Sequence, residues 1–200
     1  LHNAIDVKRF LRKDPAASRR VLSRLVTVGR LVQHKNQQFL IEVVRCLHQA
    51  GQLVSLDILG DGPDRHMLEQ KVASNKLEQY VKFHGNVERV EDILWESDLY
   101  VHGALSEPFG LVFPEAMAAG LPVVAVDGGG NRDIIQNGRN GYILAAPTAE
   151  QFAEKVKLLL NDRQAYNNMR ENAIKDAGNY DIDNYARQLV TIYKDELRMR

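Results

Sequence analysis

The chain has 200 residues, and its 26 Lys and Arg balance 26 Asp and Glu, so the formal net charge is zero and no global field attracts nucleic acid or anionic lipid. The composition, 44% hydrophobic and 26% charged, is typical of one soluble globular domain with at most a small extension. The single cysteine, Cys46, excludes an internal disulfide and favours a reducing, cytoplasmic setting.

Short β-rich runs alternate with longer helical patterns along the whole chain. The predicted strands are 25–29, 54–60, 81–85, 98–102, 122–126 and 141–144. The predicted helices are 37–50, 63–76, 90–96, 110–119, 149–160, 163–177 and 182–199. Strands separated by helices need right-handed crossovers, so we predict an α/β fold: a Rossmann-like, doubly wound parallel sheet of about six strands with helices on both faces, plus C-terminal helices.

The unusual residues of the chain fall just after the predicted strands. Ligands of a doubly wound sheet bind outside the carboxyl ends of the strands. We therefore expect these loops to meet along one edge of the sheet and to form one crevice. The loops are 29–30, 60–63, 84–86, 106–107 and 128–130.

Two carboxylates, Glu107 and Glu115, flank the start of the predicted helix 110–119. Pro114 fits only the first turn of a helix, which supports that start. Free amides of a first turn bind anions, while carboxylates accept hydrogen bonds from hydroxyl groups, so the pair together suits a sugar nucleotide. The alternative is that both acids only stabilise the helix N-terminus, by ~0.3–1 kcal/mol each.

Arg30 and Lys35 span the loop between the first strand and the first helix. An arginine forks onto two phosphate oxygens, and a lysine supplies a mobile point charge, so the pair suits a diphosphate. Gly29 would let a ligand approach the backbone, or would only end the strand. The alternative is a solvated basic loop without a ligand.

Three consecutive glycines, Gly128, Gly129 and Gly130, precede a short helix that we predict over 132–136 with Asn131 as its N-cap. They cost conformational entropy, which indicates a positive φ or a close approach to another group. Their amides are able to cup a phosphate or the edge of a sugar. A flexible loop tip has the same composition and is the alternative.

Other signals are weaker or absent. Gly60 lies in a turn sequence that would also leave room for a base or a ribose. His84, next to Gly85, is expected to be structural, without a catalytic role. The histidines lack the spacing of a metal site. Because no Gly-x-Gly-x-x-Gly follows the first strand and no glycine loop leads into Lys-Ser/Thr, neither a nicotinamide site nor a Walker-type ATPase is expected.

In order and spacing, these segments resemble the donor-binding, C-terminal domain of glycosyltransferase family 4 enzymes, retaining transferases of the GT-B fold with two facing Rossmann-like domains. The resemblance covers nearly the whole chain. The matching segments are Asn3-Ala4-Ile5-Asp6 with Phe10, Gly29-Arg30-Leu31 with Lys35, Gly60-Asp61-Gly62-Pro63, Phe83-His84-Gly85, the run from Glu107-Pro108-Phe109-Gly110-Leu111 to Glu115, Gly129-Gly130 with Asp133, and Asn137-Gly138 with Gly141. Asn131-Arg132-Asp133 departs from the glutamate-bearing version usual at that loop.

The resemblance implies a nucleotide-diphosphate sugar, such as a UDP-, GDP- or ADP-sugar, as co-substrate, with no metal and no cofactor. Arg30 and Lys35 would hold the diphosphate and offset its developing charge, and Glu107 would orient the transferred sugar, so these three are the catalytic candidates. Glu115 would bind ribose hydroxyls. The remaining donor-binding candidates are Phe109, Gly110 and Leu111 at the helix start, Gly128, Gly129 and Gly130 near the sugar, Gly60 and Gly85 near the base, and Gly29.

The resemblance also implies a division of the chain. Residues 1–22 would link two domains, 23–180 would form the donor-binding domain, and 181–200 would be a helix that crosses to an N-terminal acceptor-binding domain outside this sequence. The full-length protein would transfer a sugar to a glycan or lipid-linked acceptor, whereas this chain alone would bind nucleotide weakly and transfer nothing. We expect a cytoplasmic protein, in the full-length form also peripheral at the inner membrane face, with membrane contact only through the other domain and no nucleic-acid partner.

Two alternatives use the same residues differently. One is a non-catalytic module that binds a sugar nucleotide, against which the presence of Glu107, Arg30 and Lys35 argues. The other is a sugar-nucleotide epimerase of the GT-B fold, which needs further acid and base side chains that the sequence does not place at the predicted crevice.

Overall fold

The computed structural model describes residues 3–11 and 22–198. Six strands form one sheet: β1 Ser23–Val28, β2 Val54–Leu59, β3 Val81–Gly85, β4 Leu99–His102, β5 Val123–Val126 and β6 Gly141–Leu144. All neighbouring strands pair in parallel, in the order β3-β2-β1-β4-β5-β6. The chain reverses its direction of winding between β1 and β4, so the crevice between their carboxyl ends is where a doubly wound sheet binds ligands.

Eight α-helices surround the sheet within the described ranges. They are α1 Val7–Phe10, α2 Gln37–Gln49, α3 Arg65–Ser74, α4 Val90–Trp95, α5 Val112–Ala118, α6 Ala149–Asn161, α7 Arg163–Ala177 and α8 Ile182–Arg198. Short 3₁₀ helices lie at Gln33–Lys35, Gly130–Asp133 and Gly178–Tyr180. The Rossmann-like, doubly wound parallel fold predicted from the sequence is confirmed.

Alternation along the central strands fills two hydrophobic cores, one on each face of the sheet. Leu25 of β1 belongs to the core beneath α2 and α6, whereas its neighbour Val26 belongs to the core beneath α5 and α7. Every residue of β4 and β5 is buried, as expected for a parallel sheet covered on both sides. The sheet is therefore a rigid base for the loops at its edge.

The N-terminal described segment packs against the end of the domain. The amide of Ile5 donates to the Tyr180 carbonyl at 2.8 Å, and the amide of Ile182 donates to the Ile5 carbonyl at 2.8 Å. The Trp95 indole of α4 donates to the Phe10 carbonyl at 2.7 Å. The start of α8 and the segment before α1 thus form one unit. The proposed domain limits at 22 and 180 remain predictions.

Two predicted elements differ from the structure. The predicted helix 132–136 is wrong, since a 3₁₀ helix spans Gly130–Asp133 and contains Asn131, which is not its N-cap. The Asn131 side chain is buried and bonds the loop instead, accepting from the Gly128 amide and donating to the Val126 carbonyl. The predicted helix 110–119 begins at Val112 because Gly110 has a φ of +78°.

Candidate functional site

The loop that carries Lys35 is joined to the loop after β4. The Leu105 amide donates to the His34 carbonyl at 2.9 Å, and the Asn36 side chain donates to the Gly103 carbonyl at 3.2 Å. Asn36 has a φ of +53°, which turns the chain from the 3₁₀ helix into α2. These contacts hold Lys35 over the carboxyl end of β4.

The backbone of Glu107 is clamped by the glycine-rich loop after β5. Its amide donates to the Gly128 carbonyl at 2.8 Å, and its carbonyl accepts from the Gly130 amide at 3.0 Å. A Cβ added to Gly130 would lie 1.8 Å from the Pro108 oxygen, so only glycine allows this approach. The close approach that the three glycines predicted is therefore an approach to the Glu107 loop.

The amides of this glycine loop donate within the protein. Gly128 donates to Asn131 at 3.1 Å, Gly129 donates to Asp127 at 3.1 Å, and Gly130 donates to Glu107. That they cup a phosphate or a sugar remains a prediction, and it requires these hydrogen bonds to be exchanged.

The Glu107 side chain is buried, with 6% of its surface exposed, and its Oε2 receives two protein donors. Lys35 Nζ lies 2.5 Å away and His102 Nε2 lies 3.1 Å away. Burial disfavours the carboxylate, but the hydrogen bonds from His102 and Lys35 outweigh it and lower the pKa of Glu107 to about 2. Glu107 is therefore an anion at neutral pH, paired with the Lys35 cation. Glu107 is buried and Lys35 is half-buried, so stabilisation of a helix end alone does not account for Glu107.

His102 is the last residue of β4 and is 2% exposed. Burial lowers its pKa despite the neighbouring Glu107, so the ring is neutral at neutral pH. Because a carboxylate only accepts, Nε2 carries the proton, a tautomer assigned from the hydrogen-bond network. Nδ1 then faces the Tyr100 hydroxyl at 3.4 Å. Sequence reasoning left His102 among the scattered histidines; the missed signal was its place at a strand end, five residues before Glu107.

A cavity of about 500 Å³ opens at the carboxyl ends of β1 and β2. Its lining residues are Val28, Gly29, Arg30, Leu59, Gly60, Asp61, Asn86, Val87 and Val90. A Cβ on Gly60 would lie 2.1 Å from the Gly29 oxygen, so glycine is required at this contact. The exposed Arg30 side chain makes no ion pair among the described residues and is available to a ligand.

Glu115 lies in the first turn of α5 and is half-buried, near Arg9 and Glu91. Burial raises the pKa of Glu115 to about 7, with Arg9 opposing and Glu91 reinforcing that rise. Arg9 itself forms an ion pair with Glu91 at 2.9 Å. Both Glu115 and Glu107 act electrostatically on the buried Tyr100 hydroxyl and raise its pKa.

The other predicted residues fall around the same edge. The Phe109 ring packs against Tyr180, with centroids 6.0 Å apart. No described residue accepts a hydrogen bond from the amides of Gly110 and Leu111 at the start of α5. The Gly85 carbonyl accepts from the Gly60 amide at 2.7 Å, beside the cavity. The structure thus brings the predicted loops together at one edge of the sheet.

His84, for which the sequence supports no catalytic role, is hydrogen-bonded within the protein. Its Nε2 lies 2.6 Å from Asp57, which also binds Arg24 at 2.9 Å. Within 3–11 and 22–198, no three metal-ligating side chains are grouped. No helix in those ranges has the length and apolarity to span a membrane.

Comparison with known proteins follows the same features. A family model described as "Glycosyl transferases group 1" matches residues 17–176. N-acetyl-alpha-D-glucosaminyl L-malate synthase of Bacillus anthracis is 34% identical over 142 residues, which cover 70% of this chain and 37% of that protein. The chain spans less than half the length of the first curated relatives.

Two solved structures share the fold. Anabaena HepE in complex with UDP and glucose aligns with a TM-score of 0.86 at 24% identity, over 97% of this chain and 56% of HepE. The C-terminal domain of the group 1 glycosyl transferase LpcC from Francisella tularensis aligns with a TM-score of 0.73 at 24% identity, over 89% of this chain and 99% of that domain. At this identity the likeness shows the fold.

Proposed function

We propose, from the fact that this chain belongs to the glycosyl transferases of group 1, that it forms the donor-binding domain of a retaining, metal-independent glycosyltransferase. The donor is a nucleotide-diphosphate sugar, and the acceptor is a glycan or a lipid-linked saccharide. One observation carries the proposal: the part-buried Lys35–Glu107 pair lies at the same sheet edge as a cavity lined by Arg30.

Each part of the donor has a matching part of the site. The base and ribose occupy the cavity beside Gly60 and Gly85, with Glu115 as the acceptor for ribose hydroxyls. Arg30 and Lys35 bind the diphosphate, supported by the amides at the start of α5. Glu107 accepts a hydrogen bond from a hydroxyl group of the sugar to be transferred. A lysine ammonium has three donors, so Lys35 is able to contact a phosphate while it keeps Glu107.

The charges of the site suit departure of a nucleoside diphosphate. When the bond from the sugar carbon to the phosphate oxygen breaks, negative charge develops on the leaving diphosphate. Arg30 and Lys35 offset that charge, a task that a metal performs in other transferases. The acceptor hydroxyl attacks from the same face, and its proton passes to the leaving phosphate oxygen. We do not assign Glu107 as a nucleophile, because same-face transfer assisted by the leaving phosphate needs no protein nucleophile.

The relatives support a uridine nucleotide with a hexose as donor. HepE was solved with UDP and glucose, and the Bacillus anthracis relative is named for an N-acetylglucosaminyl group. We therefore expect UDP-glucose or UDP-N-acetylglucosamine to bind more tightly than GDP- or ADP-sugars.

Calorimetry with UDP-, GDP- and ADP-sugars tests the proposal, with Arg30→Ala as the variant. We expect this substitution to weaken UDP by about tenfold or more and uridine hardly at all, since a charge-assisted contact contributes ~1.5–3 kcal/mol. Lys157→Ala is the control, because Lys157 binds the Ala50 carbonyl beyond the C-terminus of α2, at the opposite edge of the sheet. Equal losses of UDP and uridine binding would show that Arg30 does not contact phosphate.

A further inference from the structure

The His102 ring packs against two aromatic rings that also contact each other. It stacks on Tyr100, with centroids 6.0 Å apart and planes at 20°. The Phe113 ring meets it edge-on, with centroids 4.8 Å apart and planes at 73°. Because β4 and α5 supply these two aromatic rings, His102 Nε2 keeps one position relative to the sheet.

The two oxygens of Glu107 differ in their surroundings. Oε2 accepts hydrogen bonds from both Lys35 Nζ and His102 Nε2. Oε1 receives no donor from the described residues, yet no buried side-chain oxygen or nitrogen there lacks a hydrogen-bond partner. Oε1 is therefore not sealed in the protein, and it is the atom of Glu107 that is open to a ligand.

Lys35 alone would hold Glu107 poorly once a donor is bound. Its side chain is flexible, and under the proposed function its charge also serves the diphosphate. His102 has no such second task, since its neutral ring is buried between Tyr100, Phe113 and Glu107.

We propose that His102 is a positioning residue that holds Oε2 of Glu107, so that Oε1 accepts a hydrogen bond from a hydroxyl group of the donor sugar. This inference rests on the proposed function, because it concerns the sugar that Glu107 receives. It predicts that His102 matters for the sugar part of the donor and not for the nucleotide part.

The test compares UDP with UDP-glucose by calorimetry in the wild-type chain, in two variants of His102 and in one control variant. His102→Phe keeps an aromatic ring but removes the donor, and His102→Gln places an amide donor at similar reach. We expect the ratio of the UDP-glucose Kd to the UDP Kd to rise about tenfold in His102→Phe and to stay within about twofold of wild type in His102→Gln. His48→Phe is the matched control, because His48 binds the Val54 backbone at the amino end of β2.

Two NMR measurements separate positioning from general structural loss. The carbon-13 shift of the Glu107 carboxyl reports its pKa, which should rise in His102→Phe and return toward wild type in His102→Gln. The titratable groups that face Glu107 are Lys35 and His102, with Tyr100 behind His102, so the titration has few contributors. Nitrogen-15 shifts of wild-type His102 should show a protonated Nε2 at neutral pH.

The possible outcomes are distinct. A wild-type chain that binds neither UDP nor UDP-glucose overturns the proposed function, and the role of His102 with it. A wild-type chain that binds both, with an unchanged ratio in His102→Phe, overturns the role of His102 alone. Should His102→Phe fail to fold, the wild-type tautomer decides: a proton on Nδ1 would leave Nε2 without a donor for Glu107 and would refute the inference.

Discussion

At the scale of single residues, the pKa values of the two acids of this site, Glu107 and Glu115, are shifted in opposite directions. Burial raises the pKa of both. Glu107 has two donors on one oxygen, which more than compensate for burial, whereas Glu115 has only the charge of Arg9 to oppose it. Glu107 is therefore ionised at every physiological pH, and Glu115 titrates near neutrality.

The raised pKa of Glu115 makes stability depend on pH. Since the folded pKa of about 7 lies above the usual 4.5, the folded state binds this proton more tightly than the unfolded chain does. The benefit is complete below pH 4.5 and is lost as the pH rises through 7. We expect Glu115→Gln to change the free energy of unfolding more favourably at pH 8 than at pH 5. The difference between the two effects should be about 1–3 kcal/mol.

Urea denaturation at pH 5 and pH 8 measures this difference. Glu154→Gln, at an exposed position of α6, is the control. A Glu115→Gln effect that is equal at the two pH values would contradict the prediction.

The residues at this site differ in how far the sequence predicts them. Arg30, Lys35 and Glu107 follow predicted strands, and parallel strands bring such positions to one edge, so their meeting follows from the fold class. The signal for His102 is weaker: it ends a predicted strand five residues before Glu107, but that position does not reveal the distance from Nε2 to Glu107 or the contact with the Phe113 ring. These are tertiary contacts, which residue type and spacing do not encode.

At the scale of elements, the glycine loop after β5 acts as a support for the Glu107 loop. Its carbonyl and amide bond both sides of the Glu107 backbone. The three glycines predicted a close approach, but the sequence left open which group would approach. The predicted cap at Asn131 was wrong because it too depends on contacts across the loop. The Asn131 side chain satisfies Val126 and Gly128 across the loop, an arrangement that local helix-capping rules do not describe.

Gly130→Ala should therefore disturb the fold and the site together. The added methyl would overlap the Pro108 carbonyl, and we expect a loss of about 1–3 kcal/mol in the free energy of unfolding, as in an overpacked core. Gly178→Ala is the matched control, because Gly178 has a φ of −57° and nothing within 4 Å of an added Cβ.

Thermal and urea unfolding of the two alanine variants decide this point. The control should be neutral or slightly stabilising, by up to ~1 kcal/mol. If Gly130→Ala were as stable as Gly178→Ala, the close approach of Gly130 to the Pro108 carbonyl would not restrict this position to glycine, and the account of this loop would be incorrect.

At the scale of the whole molecule, one sheet edge gathers every proposed donor contact. The cavity at β1 and β2, the Lys35–Glu107 pair at β4 and the glycine loop after β5 follow adjacent strands. The doubly wound topology was predicted from alternating helices and strands, because right-handed crossovers leave few topologies. The cavity volume was not, since it depends on how closely Gly29 and Gly60 approach each other.

The chain covers less than half of its first curated relatives, and its proposed contacts concern the donor only. We expect the 200-residue chain to bind UDP-sugars and to form no glycosidic product with any acceptor. Radiolabelled UDP-glucose and UDP-N-acetylglucosamine with glycan and lipid-linked acceptors measure this directly, with product as the result that would disprove it.

The short contact between Lys35 and Glu107 has a consequence for how the empty site meets anions. Lys35 is already paired with Glu107. Of the two cations Arg30 and Lys35, only Arg30 has no counter-ion among the described side chains, so an inorganic phosphate meets Arg30 as the one unpaired cation of the two. Lys35 also has free donors for a phosphate, but its charge is shared with the Glu107 carboxylate unless the ligand brings a hydroxyl group to that carboxylate. We expect a sugar joined to a diphosphate to meet both groups at once, and therefore to bind the resting domain in preference to either fragment alone.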